Sequence, residues 1–451
     1  MSRIRSWIRD AQDALAGDTT LRRVLKNTGW LTGSSGVVIV LSTIQGVLTA
    51  RLLGVVLWGV LGIAASFAAV IGPLLSFRMN DFVVKWITQF REQDPRLAPT
   101  AFKLALAGDI GTAVLSFIVV ELLASWGATA FAKNPELVWV FRIVGCTALL
   151  QVGRESFIGM LHINRDFHIQ SLLQVISQAV SVVGIVVVFV IHGGLLGVVV
   201  VVVGVQAITA VLFFIYGLRA ANAVLGAGWA LTPLERPGEI GREMWHFAIM
   251  VNISGTLRTV MNDGDLLILG FLAGPTPVAY YKLAKNICQI AQLPMMPMVN
   301  ASYPEFSSAA AQGEWVTFRR LIRRGSKVAA AWVIPVSFAL VVASPFAIRL
   351  LYGPSFVPAV PALAVLLIGF SFDSILFWTG AGLLSMGEAG YVTSVILAAT
   401  LVKVALAFLL VPTGGYIMLA ALQSVTLAAA NLLYSRRVFV GIRARELAAA
   451  A

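Results

Sequence analysis

About twelve apolar stretches, each near the roughly 20 residues that a helix needs to cross a hydrocarbon core of about 30 Å, are strung along this chain with short polar gaps between them. We place them at 29–49, 55–77, 102–126, 137–158, 169–191, 195–216, 245–272, 278–303, 328–351, 357–384, 391–411 and 416–433. The runs are continuous and about twice the length of a barrel strand, without the alternation that a strand with one polar face would show, so spanning helices are expected and a β-barrel is not. Composition agrees: 59% of the residues are hydrophobic and 12% charged, against about 25% charged in soluble domains.

Basic residues fall almost entirely in every second gap. One side takes Arg3, Arg5, Arg9, Arg22, Arg23 and Lys26 before the first span, loop residues such as Arg78, Lys85, Arg165, Arg219, Arg242 and Arg319 to Lys327, and Arg436, Arg437, Arg443 and Arg445 after the last. The other side takes Arg51, Lys133, Arg142 and Arg349. The positive-inside rule therefore places both termini in the cytoplasm. The net charge of +12 is accounted for by insertion and by anionic lipid, so no nucleic-acid partner is expected. Residues 1–26 carry Ile4, Trp7, Ile8, Ala11 and Leu15 at helical spacing opposite basic residues, as in a helix lying at the cytoplasmic interface. Trp315, Phe318 and Ile322 beside four arginines read as a second surface helix anchored by its aromatics, or as a docking site for anionic lipid headgroups.

The polar interval 218–243, rich in Gly and Pro, divides the spans six and six. The halves echo one another: Arg51-Leu52-Leu53-Gly54, then Gly59 and Gly62, sits between spans 1 and 2 much as Gly270 to Gly274, then Tyr280 and Tyr281, sits between spans 7 and 8. An even number of spans leaves both copies in one orientation, which suits a duplicated unit that works by alternating access around a central site. The expected layout is an interfacial helix at 1–26, a six-helix bundle at 27–217, a linker at 218–243, a second bundle at 244–435 and a cytoplasmic tail at 436–451, in a monomer.

A charged side chain at the centre of a spanning helix costs about 2.5 to 3.5 kcal/mol on insertion scales, so such residues usually face a bundle interior or a wet cavity. On span 7, Ser254, Arg258, Asn262 and Asp265 share a face; on span 8, Lys282, Lys285, Gln289 and Gln292 do the same; span 1 offers Thr32, Ser35, Ser42, Gln45 and Thr49. Asp265 and Lys282 could pair across the turn between spans 7 and 8. That pairing would still leave Arg258 and Lys285, a surplus of positive charge that calls for an anion. Asp109, Asp265 and Asp373 are the carboxylates available for ion coupling, with structural pairing as the plainer reading. Pro294 and Pro297 are expected to bend span 8. Nothing points to a cofactor, a metal or catalysis: there is no Walker loop, no dinucleotide motif and no metal-spaced histidine. Cys146 and Cys288 form no framework.

Several short motifs resemble one family. Arg51-Leu52-Leu53-Gly54, the run Asp265 to Gly270 followed by Ala279-Tyr280-Tyr281-Lys282-Leu283-Ala284, Tyr303-Pro304, Leu351-Tyr352-Gly353, and Ser76-Phe77-Arg78 followed by Asp81 to Lys85 are similar to the polysaccharide transport family of lipid-linked oligosaccharide flippases, O-antigen flippases included. Its superfamily also holds multidrug antiporters and peptidoglycan-precursor flippases. The resemblance implies two six-helix bundles in a V, with helices 1, 2, 7 and 8 lining a cavity. It implies a cargo of undecaprenyl diphosphate carrying a glycan, moved across the bacterial inner membrane, with polysaccharide polymerase and chain-length proteins as partners. Carried onto this chain, Arg258, Lys282 and Lys285 would hold the diphosphate with Asn262 and Gln289 nearby, and Arg51 and Arg78 would stand at the two mouths. Span 1 lacks the acidic residue common in the multidrug antiporters, and twelve spans is fewer than the fourteen usual for peptidoglycan-precursor flippases. The alternatives are an ion-coupled multidrug exporter of the same superfamily and a scaffold subunit for polysaccharide enzymes.

Overall fold

The computed structural model describes residues 19–76, 79–235, 240–293 and 295–450, with side chains for all of these except 19–32, 240, 250–262, 296–301, 303–304 and 448–450. Thirteen α-helices make up the described fold: α1 Thr19–Leu75, α2 Met79–Gln93, α3 Leu97–Ala130, α4 Val138–Gly145, α5 Arg154–Ile163, α6 Phe167–Val190, α7 Gly194–Leu225, α8 Ile240–Ala273, α9 Pro275–Gln292, α10 Met295–Ala311, α11 Trp315–Leu351, α12 Ala359–Ser385 and α13 Ala389–Ala450. No strand occurs among the described residues. This is an all-α, multi-pass membrane protein, with eight described stretches long and apolar enough to cross a bilayer.

The expected spans map onto these helices in order, and glycines make the corners. Helix α1 holds spans 1 and 2, broken where Gly54 takes φ 69°, ψ 179°. Helices α8 and α9 meet at Gly274 with φ 81°, ψ −172°. These two turns, in the positions the repeated motif marks, have almost the same backbone geometry, in a region of positive φ that side chains disfavour. Spans 11 and 12 lie in α13, broken at Gly415. Span 8 is interrupted after Gln292, where α9 ends and α10 begins at Met295. Span 4 is the least regular: α4 gives way to a 3₁₀ segment, Cys146–Gln151, and Gly153 at φ 69° restarts it as α5.

The cores show how the halves are arranged. At the end carrying the Gly54, Gly274 and Gly353 turns, one core is built from both halves, joining Trp58, Ile63 and Phe67 to Val278, Tyr281, Phe356 and Leu419. Toward the termini the core splits in two. Met79, Trp86, Phe102, Phe157 and Trp229 form one, joined by Met244 and Ala248 of α8. Phe306, Phe318, Trp378, Val438 and Ile442 form the other. Two bundles joined at one end and separately packed at the other make a V.

Closure at the shared end is tight. A Cβ at Gly59 would lie 2.0 Å from the carbonyl oxygen of Pro275. Trp58 packs edge-on against Phe356 at 5.5 Å and tilts over Tyr352 at 6.3 Å. Burial there pushes the Tyr352 hydroxyl up to about 12. Arg51 donates to the backbone carbonyls of Leu350 and Leu351, the last residues of α11, where a cation also meets the negative end of the helix dipole.

One expectation for the polar loops changes. Phe318 and Ile322 are not interfacial anchors; they belong to a continuous α11 and bury against Phe306, Trp378, Val438 and Ile442. Residues 436–450 continue the helix of span 12, and Glu446 pairs with Arg319 at 2.6 Å.

Candidate functional site

A cation with no acid partner among the described residues sits in the wall where the two halves meet. Lys282 lies in the second turn of α9, and its stem runs against Gly62 of α1, 3.0 Å from where a Cβ would stand. The glycine is what lets the lysine reach across. Its ammonium hangs 4.8 Å from the centre of the Trp58 ring, and among the described residues no carboxylate lies within salt-bridge distance of it. A cation over an indole face is worth about 0.5 to 2 kcal/mol, but the ring carries no net charge to neutralise the ammonium. The site is left with unbalanced positive charge. Lys285, one turn further along the same face, is half-buried, and Gln289 is exposed.

The pairing of Asp265 with Lys282 anticipated from sequence does not form. Asp265 is 1% exposed; its Oδ1 accepts from Lys403 Nζ at 2.6 Å and its Oδ2 from the Tyr281 hydroxyl at 2.8 Å. Lys403, 3% exposed, donates also to Gln423 at 2.8 Å. The physical reason lies in α9: Tyr281 and Lys282 are adjacent, so their side chains leave the helix about 100° apart. Tyr281 faces into the second bundle and Lys282 faces the first.

The other two carboxylates are also engaged. Asp109, 4% exposed, takes the backbone N–H of Ser156 at 2.9 Å and its hydroxyl at 2.6 Å. It therefore caps the first turn of α5, the helix restarted in mid-span by Gly153. That break leaves N–H groups with no intrahelical partner, which hydrocarbon would not satisfy. Asp373 accepts from Asn431 at 3.0 Å and from Gln292 at 3.2 Å, tying α12 and α13 to the end of α9 beside the break in span 8.

On span 1, Gln45 accepts from Gln178 of α6 at 2.6 Å, so at that point the polar stripe turns into its own bundle. Arg51 is at the closed end, as described. Arg78 lies outside the described residues, and Arg258, Asn262 and Ser254 lie in α8 where side chains are outside the description. On the terminal side, a groove of about 950 Å³ opens between α2 and the start of α8, lined by Lys85, Arg242, Glu243, Trp245, His246, Phe247 and Ile249. Lys85 lies 4.0 Å from the centre of the Phe247 ring.

Sequence reasoning missed Trp58, the aromatic face under Lys282. Nor does anything near Lys403 in the chain mark it as the partner of Asp265, 138 residues away. Pairing of helices so distant carries no local signal. The glycines at 59 and 62, spaced for close approach in an apolar run, were the trace that could have pointed to α9.

Comparison with known proteins adds three findings. A search of curated proteins returns no match. Among solved structures, an inward-facing multidrug resistance MATE family transporter of the MOP superfamily superposes with a TM-score of 0.73 at 15% identity, covering 91% of this chain and 95% of that one. The lipid II flippase MurJ in an inward closed conformation gives 0.71 at 13% identity, covering 90% and 87%. An outward-facing MATE family transporter gives 0.61 at 14% identity, covering 94% and 96%. At such identities the likeness is one of fold, and it is higher for these two inward structures than for the outward one. The family described as "Polysaccharide biosynthesis protein" matches residues 24–310, more than half of the sequence, and to that family this chain belongs.

Proposed function

We propose that the protein is a flippase that carries a lipid-linked oligosaccharide, borne on undecaprenyl diphosphate, across the bacterial cytoplasmic membrane by alternating access for surface-polysaccharide assembly. The observation that carries this reading is Lys282: an ammonium over Trp58, at the seam between the bundles, without an acidic partner among the described residues. An anionic headgroup is the ligand such a site needs, and a diphosphate supplies more than one negative charge. The polyprenyl tail would stay in lipid while the glycan crosses between the bundles. Arg258 and Lys285, which helical spacing puts on the polar faces of spans 7 and 8, would complete the proposed clamp. No bond is made or broken.

The state described fits the start of the cycle. The bundles are joined at the end of the Gly54 and Gly274 turns and diverge toward the terminal side, the side that the positive-inside bias places in the cytoplasm, where the cargo is made.

A multidrug exporter for cationic compounds fits this site less well. Lys282 would repel such cargo, and the carboxylates such an exporter would use are taken: Asp265 by Lys403 and Tyr281, Asp373 by Asn431 and Gln292, Asp109 by Ser156. In this reading those carboxylates are structural.

The test is surface-glycan display in cells whose only copy is a variant. Lys282→Ala, and Arg258→Ala with Lys285→Ala, should abolish display while the protein still inserts, and Lys282→Arg should restore part of it. Normal display in the alanine variants would remove the diphosphate clamp. Hypersensitivity to cationic drugs with intact glycan would favour the exporter.

A further inference from the structure

Two neighbouring helices of the second half share a pattern that the transport site does not use. On α11, the exposed apolar residues Val328, Ile334, Phe338, Val342 and Phe346 mark the face turned away from the protein. Followed toward the termini, that face becomes Lys327, Arg324, Arg323 and Arg320, all exposed. On α13 the exposed Val425, Leu432 and Leu433 lead in the same way to exposed Arg436 and Arg443. The two ends are packed together through Phe318, Ile322, Val438 and Ile442.

Two acids on this rim are already paired, and among the described residues Glu305 and Glu314 form no ion pair with its arginines. Glu446 holds Arg319 at 2.6 Å, and Glu388 holds Arg437 at 2.6 Å. Arg320, Arg323, Arg324, Lys327, Arg436 and Arg443 have no carboxylate partner among the described residues. Position sets the ligand. With a rise of about 1.5 Å per residue, Arg324 and Arg320 stand about 6 and 12 Å beyond Val328. With Val328 at the edge of the core, that places Arg324 in the phosphate layer, roughly 5 to 8 Å thick on each side, and Arg320 a few ångströms beyond it, within reach of the headgroups through its long side chain.

We propose that this rim of the second bundle is a binding surface for anionic phospholipid, with the α11 arginines and Arg436 and Arg443 holding headgroup phosphates while the acyl chains lie along the apolar faces below. It is independent of the cargo assignment. The aromatics expected to anchor a surface helix are instead turned inward. The rim is thereby held in place, so its cations act together.

The test uses the purified full chain in neutral detergent, titrated with phosphatidylglycerol or phosphatidylcholine and read by native mass spectrometry. Wild type should retain phosphatidylglycerol in preference. Each basic group near a membrane surface contributes about five-fold in association, so Arg320→Gln/Arg323→Gln/Arg324→Gln should weaken it on the order of 100-fold. Arg91→Gln/Arg96→Gln, at the α2 to α3 turn of the other half, should leave it unchanged. Retention by wild type should also fall as salt rises, a reading that needs no variant. Equal retention of the two lipids by wild type, equal loss in the two variants, or indifference to salt would overturn the proposal.

Discussion

Replacing Lys403 by Met should unfold the second bundle more readily than any surface change, and the size of the effect follows from the pair it breaks. Lys403 and Asp265 meet at 2.6 Å with side chains 3% and 2% exposed. Taking one partner from a buried ion pair strands the other charge and typically costs about 3 to 5 kcal/mol, whereas replacing both by uncharged groups is often neutral. Asp265 keeps the Tyr281 hydrogen bond, and a hydrogen bond to a charged group contributes about 1.5 to 3 kcal/mol. The lower part of the 3 to 5 range is therefore expected for Lys403→Met. For a bundle of this size that is a fall in melting temperature on the order of 10 °C. Asp265→Asn combined with Lys403→Met should recover most of it, because no charge is left buried. Thermal unfolding in detergent, followed by the loss of monodisperse protein, reads all three. A single variant that melts with wild type, or a double variant no better than the single, would refute the claim that burial of an unpaired carboxylate sets the penalty. Glycan display by a stable double variant would further show that neither group carries a coupling ion.

Other consequences concern the closed end and the broken spans. Gly59→Ala puts a methyl group 2.0 Å from the Pro275 carbonyl; backbone cannot yield as a side chain can, so a loss of about 1 to 3 kcal/mol and of glycan display is expected, whereas Gly72→Ala, with open space around it, should be silent in both assays. Arg51→Ala removes the donors that reach Leu350 and Leu351, and spin labels placed across the seam should report a larger population open at that end; an unchanged distance distribution would count against Arg51 as a fastening. Asp109→Ala strips the cap from α5, with an expected cost of about 0.5 to 2 kcal/mol that Asp109→Asn should partly spare, since its side-chain oxygen still accepts; equal melting of the two variants would rule out capping.

The sequence was readable where one physical rule acted alone. Hydrocarbon demands long apolar helices, so the spans could be placed by length, and Gly54 and Gly274 could be marked as turns because both flank such helices. The Pro294 region was marked as a bend, and span 8 breaks there. What escaped were contacts that depend on helix rotation and on partners far apart in the chain. The neighbours Tyr281 and Lys282 look equally able to meet Asp265; which one does is settled by the packing of α9 against α1 and α13. The spacing of Tyr434, Val438 and Ile442 continued the apolar stripe of span 12 beyond the last hydrophobic run, but arginines between them looked like the start of a solvated tail. Amphipathic helices that cover protein and those that cover nothing share that pattern until the covered partner, here Phe306, Phe318 and Trp378, is known.

That stripe bears on how the two arms would move in the alternating access proposed above. An arm that swings must resist bending, or the motion dies out along its length. By crossing the free ends of spans 8, 9 and 10 and fastening to them through Val438, Ile442 and the Glu446 carboxylate, the final helix works as a splint. The far end of that arm is thus stiffened, and in the alternating access proposed above displacement would be concentrated at the closed end, where Gly59 bears on Pro275.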